Sequence, residues 1–378
     1  MTNLIIFYIC FLNFFANDTP ISKLKYIIYI LISIICLFCI LKNINKIKIR
    51  KKGFLTIYMI FMLMTIPGAI VMLGNEFTVD LLFTYIRMWL LVPIVTYIYF
   101  FIETDKLLKS LVKYSLLINA IGLIQIISNF HEFGRIQNVF SHPNFYAFYL
   151  IIIVLAIIYF IKNRTIKFRI GIVLILFNLL MIIAAGSKTA IIAFIAAIMY
   201  VFYKYLIKAN KYLKIPILII SILGIILFIV IFKDKFSELR IFNLDYGLKE
   251  NQINSFEWRI LNWKSKFSIW ENSIFGVFFG YGWGSEILYG FKGFAMHNEY
   301  LRVLFEYGIM GCICIFIFAK RFFYNIMRLK SENLRSFYIG FIIIIVVGAM
   351  AENIFVAVET LVLYIGIIFS SNSDERID

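Results

Sequence analysis

Apolar stretches of about 18 to 23 residues recur along nearly the whole of this 378-residue chain. Wound as α-helices, they have the length needed to cross about 30 Å of hydrocarbon, and a helix satisfies its own backbone where no water can. Twelve such spans are expected, at about 3–16, 22–41, 53–73, 79–101, 108–128, 144–161, 168–186, 189–207, 215–232, 298–319, 336–351 and 354–370. Composition points the same way: 62% of the residues are apolar, 15% are charged, and phenylalanine occurs 41 times. A soluble domain carries about 25% charged residues to cover its surface. The expected fold class is an all-α polytopic membrane protein, with residues 1–378 as a single integral membrane domain. The opening segment lacks a basic leader and a small-residue cleavage site, so it is expected to be retained as the first span.

Lysine and arginine set the expected orientation. Segment 42–52 carries six, segments 162–169 and 204–214 carry four each, 320–335 carries five and 103–113 carries three, together more than half of the chain's 37. The alternate connections are nearly bare: 74–78 has none, 129–143 has only Arg135, and 187–188 has only Lys188. Lys23 and Lys25 run against the pattern but are outweighed. Both termini are therefore expected in the cytoplasm. The formal net charge of +16 is a topology signal scattered through short loops, and no nucleic-acid partner is expected. Cys10, Cys36, Cys39, Cys312 and Cys314 all fall inside spans, where they read as small packing residues.

One connection is far longer than the others. Residues 233–297, between spans nine and ten, form a large extracytoplasmic loop holding four of the five tryptophans, Trp258, Trp263, Trp270 and Trp283. Long loops that are not disordered tend to be functional. Ile260, Trp263, Phe267, Trp270 and Ile274 lie three and four apart, on one helical face, with Arg259 and Lys266 flanking the stripe. This reads as a helix on the outer membrane interface, aromatics dipped in and cations at headgroup level. The stripe alone is equally compatible with packing on protein.

The polar groups expected on the outer face are few. In "GSKTA" (186–190), Gly186 can end one helix in a left-handed conformation and Ser187 can cap the next. Lys188 then stands beside free N–H groups at the positive end of a helix dipole, an anion-binding arrangement. It is not a Walker A loop, because the required glycines are missing. In "RIQNVFSHPN" (135–144), Arg135 is held close to the next span. Ser141 and Asn144 read as helix-entry residues and Pro143 as a first-turn proline, which makes His142 structural. In "MHNEY" (296–300), His297 stands at the start of span ten, where the helix dipole disfavours imidazolium. That suits an imidazole that accepts a proton as a general base. Arg302 and Glu306, four apart, can pair and hold the entry turn. Arg87, inside span four, is a functional candidate because it is a charge at membrane depth. No acidic or histidine grouping has divalent-metal spacing, and no metal or other cofactor is expected.

Four stretches in this order resemble the O-antigen polymerase and O-antigen ligase family: "RIQNVFSHPNFYAFYL" (135–150), "GSKTAIIAF" (186–194), "WRILNWKSKFSIWENSIFGVFFGYGWGS" (258–285) and "HNEYLRVLFEYGIMG" (297–311). The resemblance covers about residues 110 to 320 and is most specific in the last stretch, which follows a long outer loop. It implies a multi-pass, metal-independent glycosyltransferase of the bacterial inner membrane, working at its outer face in O-antigen or capsular polysaccharide assembly. It implies an undecaprenyl-diphosphate-linked glycan donor, a glycan acceptor and, as a further partner, a chain-length regulator. By similarity His297 is the base that activates the acceptor hydroxyl, and Arg135, Lys188 and Arg259 bind the diphosphate, with Asn298, Tyr300, Arg302, Glu306, Arg87 and His142 as supporting residues. The family usually has arginine where Lys188 stands, and lysine offers a point charge in place of a bidentate fork.

The shared chemistry does not separate a polymerase from a ligase that moves the finished chain to a lipid A core. Polymerase is the favoured reading, since no docking surface for a lipid A core is visible. A flippase or transporter of lipid-linked sugars is the reading from another class. It would be expected to show inverted repeats and a polar midplane site. Pro67 and Pro93 interrupt two spans here, but no repeat is visible.

Overall fold

A computed structural model describes residues 24–44, 52–75, 79–128, 135–140, 142–208, 255–289, 295–355 and 358–371. Among them, twelve α-helices are named here in chain order: α1 (Leu24–Lys42), α2 (Lys52–Asn75), α3 (Val79–Phe101), α4 (Thr104–Ile127), α5 (Pro143–Lys162), α6 (Phe168–Ala185), α7 (Lys188–Lys208), α8 (Ser255–Glu271), α9 (Ile274–Phe279), α10 (Glu299–Met327), α11 (Glu332–Ala349) and α12 (Val358–Ser370). Ten of the twelve expected spans coincide with a helix. The other two, 3–16 and 215–232, lie outside the described residues. Five of the described helices, α4, α5, α6, α10 and α11, are long and apolar enough to cross a membrane, and shorter apolar segments lie in α1, α2, α3, α7 and α12.

Exposure explains why these helices need lipid. On α1, Ile27, Leu31, Ile34, Phe38 and Leu41 are all exposed, while Tyr29, Ile32 and Cys36 are buried. The apolar side chains therefore cover both faces, one against protein and one against hydrocarbon. In water that outer stripe would be a large apolar patch. The chain is a multi-pass membrane protein. Pro67 and Pro93, expected to interrupt their spans, sit inside α2 and α3, which continue through them. A lost backbone bond is tolerated in a membrane helix when neighbouring groups take up the freed carbonyl.

The chain forms two compact units. The first comprises Met1–Tyr114, Ile253–Lys330 and Ala349–Asp378. Its packing gathers around Phe369 of α12, fully buried and met by the rings of Tyr58 on α2 at 5.3 Å, Tyr99 on α3 at 5.8 Å and Phe318 on α10 at 5.7 Å. The second comprises Ser115–Gln252 and Ser331–Gly348. Nearly every residue of α5 is buried there. One polar chain threads that apolar interior: Tyr146 donates to Asn119 Oδ1 at 2.9 Å, Asn119 donates to Asn178 at 3.1 Å, and Asn178 donates to the Leu174 carbonyl at 2.7 Å. Linked donors and acceptors of this kind hold helices together where an unsatisfied amide would be costly.

Candidate active site

The first unit builds its site around the start of α10. Asn298 is the N-cap, and its Oδ1 accepts from the Leu301 N–H at 3.1 Å, a contact of about 1 kcal/mol. Glu299 in the first turn suits the helix dipole. His297 immediately precedes this cap with φ 51°, a left-handed conformation that non-glycine residues seldom adopt and that the surroundings must enforce.

The enforcement is visible on both sides. Asn262 and Trp263 of α8 donate to the Ala295 carbonyl at 3.0 Å and the Met296 carbonyl at 2.7 Å. The Met296 N–H donates to Glu286 at 2.8 Å. Residues 350–355 hold the other side: Asn353 accepts from the Asn298 N–H at 2.9 Å, the Met350 carbonyl accepts from Asn298 Nδ2 at 3.0 Å, and the Phe355 N–H donates to Glu299 at 3.3 Å. The imidazole itself meets the edge of Trp258, ring centres 6.5 Å apart, and its Nδ1 lies 3.7 Å from a Glu352 carboxylate oxygen. The His297 side chain is 37% exposed and that of Glu352 11%, so the ring is backed by protein and open to a substrate.

Beneath the histidine lies a buried charge cluster. Arg302 pairs with both Glu299 and Glu306, and its guanidinium rests 5.5 Å from the Trp283 ring. Glu306 also accepts from the Gly284 N–H at 2.7 Å. The expected Arg302–Glu306 pair is thus present, and it ties the 280–286 loop to α10 as well as holding the entry turn. Asn353 donates to both oxygens of Glu286 at 2.8 and 3.0 Å. Burial pushes the Glu286 carboxyl above the usual carboxylate range, against the opposing pull of Arg302.

Of the two surroundings open to the α8 stripe, contact with protein is the one seen. Trp263, Phe267 and Trp270 pack on Tyr281, Met296 and Phe305, so they face protein. Ile274, expected to end the stripe, instead opens α9 and stands well clear, at 81% exposure. Lys266 does not reach headgroup level: it is fully buried and donates to Asn262 Oδ1. Burial lowers its ammonium to about 8. Arg259 is half-buried, next in sequence to Trp258.

The second unit carries the other two expected cations. Gly186 ends α6 at φ 64°, and Ser187 Oγ accepts from the Ala190 N–H at 3.3 Å, so the capping read from "GSKTA" is present with Lys188 as the first residue of α7. Arg135 lies against this turn. Its Nε donates to the Ala185 carbonyl at 2.9 Å, a terminal nitrogen donates to Asn144, and its side-chain carbons and Nε lie within 3.8 Å of where a Gly186 Cβ would stand. The fold therefore brings Arg135 to the turn that starts with Gly186 and presents Lys188. His142 caps α5, with Nδ1 accepting from the Asn144 N–H at 3.2 Å, and Pro143 opens that helix. Ser141 lies outside the described residues. Tyr300 is exposed, and Arg87 is half-buried in α3. An apolar cleft of about 460 Å³ is lined by Ser33, Tyr85, Trp89 and Pro93 among others, and by none of the expected site residues.

Residues 170–316 match the family model described as O-Antigen ligase. That segment of the chain is similar to the O-antigen ligase family. Comparison with curated proteins gives no match. The O-antigen ligase match spans Lys188, Arg259, His297, Asn298, Tyr300, Arg302 and Glu306, and supports a membrane enzyme of O-antigen or polysaccharide assembly. Arg87, Arg135, His142, Glu352 and Asn353 lie outside the matched segment. Sequence reasoning passed over Glu352, Asn353, Glu286 and Lys266 as site neighbours. One signal was present: "EN" at 352–353 fills the two-residue gap between the last two expected spans, on the face assigned to His297.

Proposed function

We propose that the chain is a glycosyltransferase that polymerises undecaprenyl-diphosphate-linked oligosaccharide repeat units of O-antigen or capsular polysaccharide. It works at the outer face of the bacterial inner membrane, with both termini in the cytoplasm. His297 accepts the proton of the acceptor hydroxyl as that oxygen attacks the anomeric carbon of the donor. The bond from that carbon to the diphosphate breaks, and undecaprenyl diphosphate leaves. Arg135, Lys188 and Arg259 neutralise the negative charge that develops on it. The observation that carries this reading is the imidazole: its backbone is pinned on both sides, one nitrogen is backed by a carboxylate, and the rest of the ring is open.

The test is His297→Ala in cells. Chain extension is expected to stop while protein abundance and lipid-linked donor stay at wild-type levels; long polymer in that strain rules out the assignment. Arg259→Ala is expected to lose more activity than Arg259→Lys, since lysine keeps the charge.

The description of the matching family as O-Antigen ligase favours a second reading, transfer of the finished chain to a lipid A core or another acceptor. Cells lacking the protein distinguish the two. A core capped with one repeat unit marks a polymerase, and accumulated lipid-linked long polymer marks a ligase.

A further inference from the structure

We infer that Glu352 is a positioning residue for His297, and that the turn at 350–353 is the element that sets the imidazole for proton transfer. The inference rests on the reading of His297 as the base. It goes beyond that reading because residues 350–353 lie outside the matched segment, which ends at 316.

Three contacts reach from this turn to the histidine and its neighbour. Glu352 faces Nδ1 at 3.7 Å, Asn353 accepts from the Asn298 N–H, and the Met350 carbonyl accepts from Asn298 Nδ2. One of them holds the backbone N–H and another the side-chain amide of the residue that follows His297, itself at φ 51°, and together they limit the direction the imidazole can take. The third places a carboxylate oxygen 3.7 Å from Nδ1, which leaves Nε2 as the nitrogen for the substrate. Asn353 is itself anchored to buried Glu286 through both carboxylate oxygens. The turn therefore rests on a fixed base.

The arrangement has a definite chemical consequence. When the acceptor hydroxyl attacks, its proton passes to Nε2 and the ring becomes cationic. A carboxylate oxygen 3.7 Å from Nδ1 stabilises that cation through charge. The effect belongs to the transition state, so it lowers turnover when lost and leaves donor binding nearly unchanged.

The experiment uses the purified full chain in lipid nanodiscs, with lipid-linked oligosaccharide extracted from cells lacking this protein. Initial rates are measured against donor concentration. Glu352→Gln, which keeps shape and removes charge, is expected to lower kcat about 10- to 100-fold with KM within about twofold. Glu352→Asp is expected to fall between Gln and wild type, and Glu352→Gln added to His297→Ala is expected to cause no further loss. Wild-type kcat in Glu352→Gln beside an inactive His297→Ala overturns the positioning role and leaves the base assignment standing. A rise in KM or a drop in thermal stability that accounts for the whole loss also overturns it. Wild-type turnover in His297→Ala overturns the base assignment itself.

Discussion

The N–H of Gly282 donates to the carbonyl of Glu306 at 2.8 Å, and one residue earlier the N–H of Tyr281 donates to the Phe305 carbonyl at 3.0 Å. A regular helix would use both carbonyls for its own next turn. Gly308 breaks α10 two residues later, with φ 62° and ψ −168°. The kink and the loop are therefore one structure, joined by two backbone bonds just before the break.

That coupling predicts the effect of Gly308→Ala. A methyl group there would lie 2.4 Å from the Phe278 carbonyl oxygen, in a backbone conformation reserved for glycine. Strain of about 1–3 kcal/mol, with the clash added, is expected to lower the thermal midpoint and the yield of folded protein. Unchanged unfolding of the purified variant would show that the kink is not required.

Arg302 stands between two buried acids, Glu299 and Glu306. Arg302→Met keeps most of the volume but leaves two carboxylates without their cation. The expected cost is about 3–5 kcal/mol. Pairing the change with Glu306→Gln is expected to restore part of it, read as folded yield and thermal midpoint.

Lys266 predicts a pH dependence. Burial lowers its ammonium to about 8, below the usual value of about 10.4 for an unfolded chain. Between these values the unfolded chain binds the extra proton, so stability rises with pH across the window and is lower beneath it. Lys266→Met removes this contribution. The difference in thermal midpoint between wild type and variant is expected to move in favour of wild type between about pH 8 and 10, and a flat difference would contradict the assignment.

Arg135 uses Nε and a terminal nitrogen in two directions, to the Ala185 carbonyl and to Asn144. Lysine cannot make both bonds from one fork. Arg135→Lys is therefore expected to lose activity about as fully as Arg135→Ala, in contrast to Arg259, where lysine is expected to retain part. Polymer yield in cells, normalised to protein abundance, separates the two patterns.

What was legible beforehand follows from local physics. The length of an apolar run determines whether it can span hydrocarbon, so ten expected spans coincide with helices to within a few residues at most ends, although α10 runs eight residues beyond its expected limit of 319. Capping depends on neighbours in sequence, so the roles of Gly186, Ser187 and Pro143 were readable. The pairing of Arg302 with Glu306 was readable for the same reason.

Other features depend on which segments meet. Lys266 has the spacing of an interfacial cation, and only the packing of α8 on residues 295–296 shows that it is buried. Glu352 lies 55 positions from His297, and no periodicity links them. The sequence by itself determined a membrane-embedded helical chain and the caps at several helix ends, because hydrophobic length and helix-end chemistry act over a few residues. The tertiary structure decided which groups back the histidine and which charges are enclosed, because desolvation and pairing depend on contacts between distant parts of the chain.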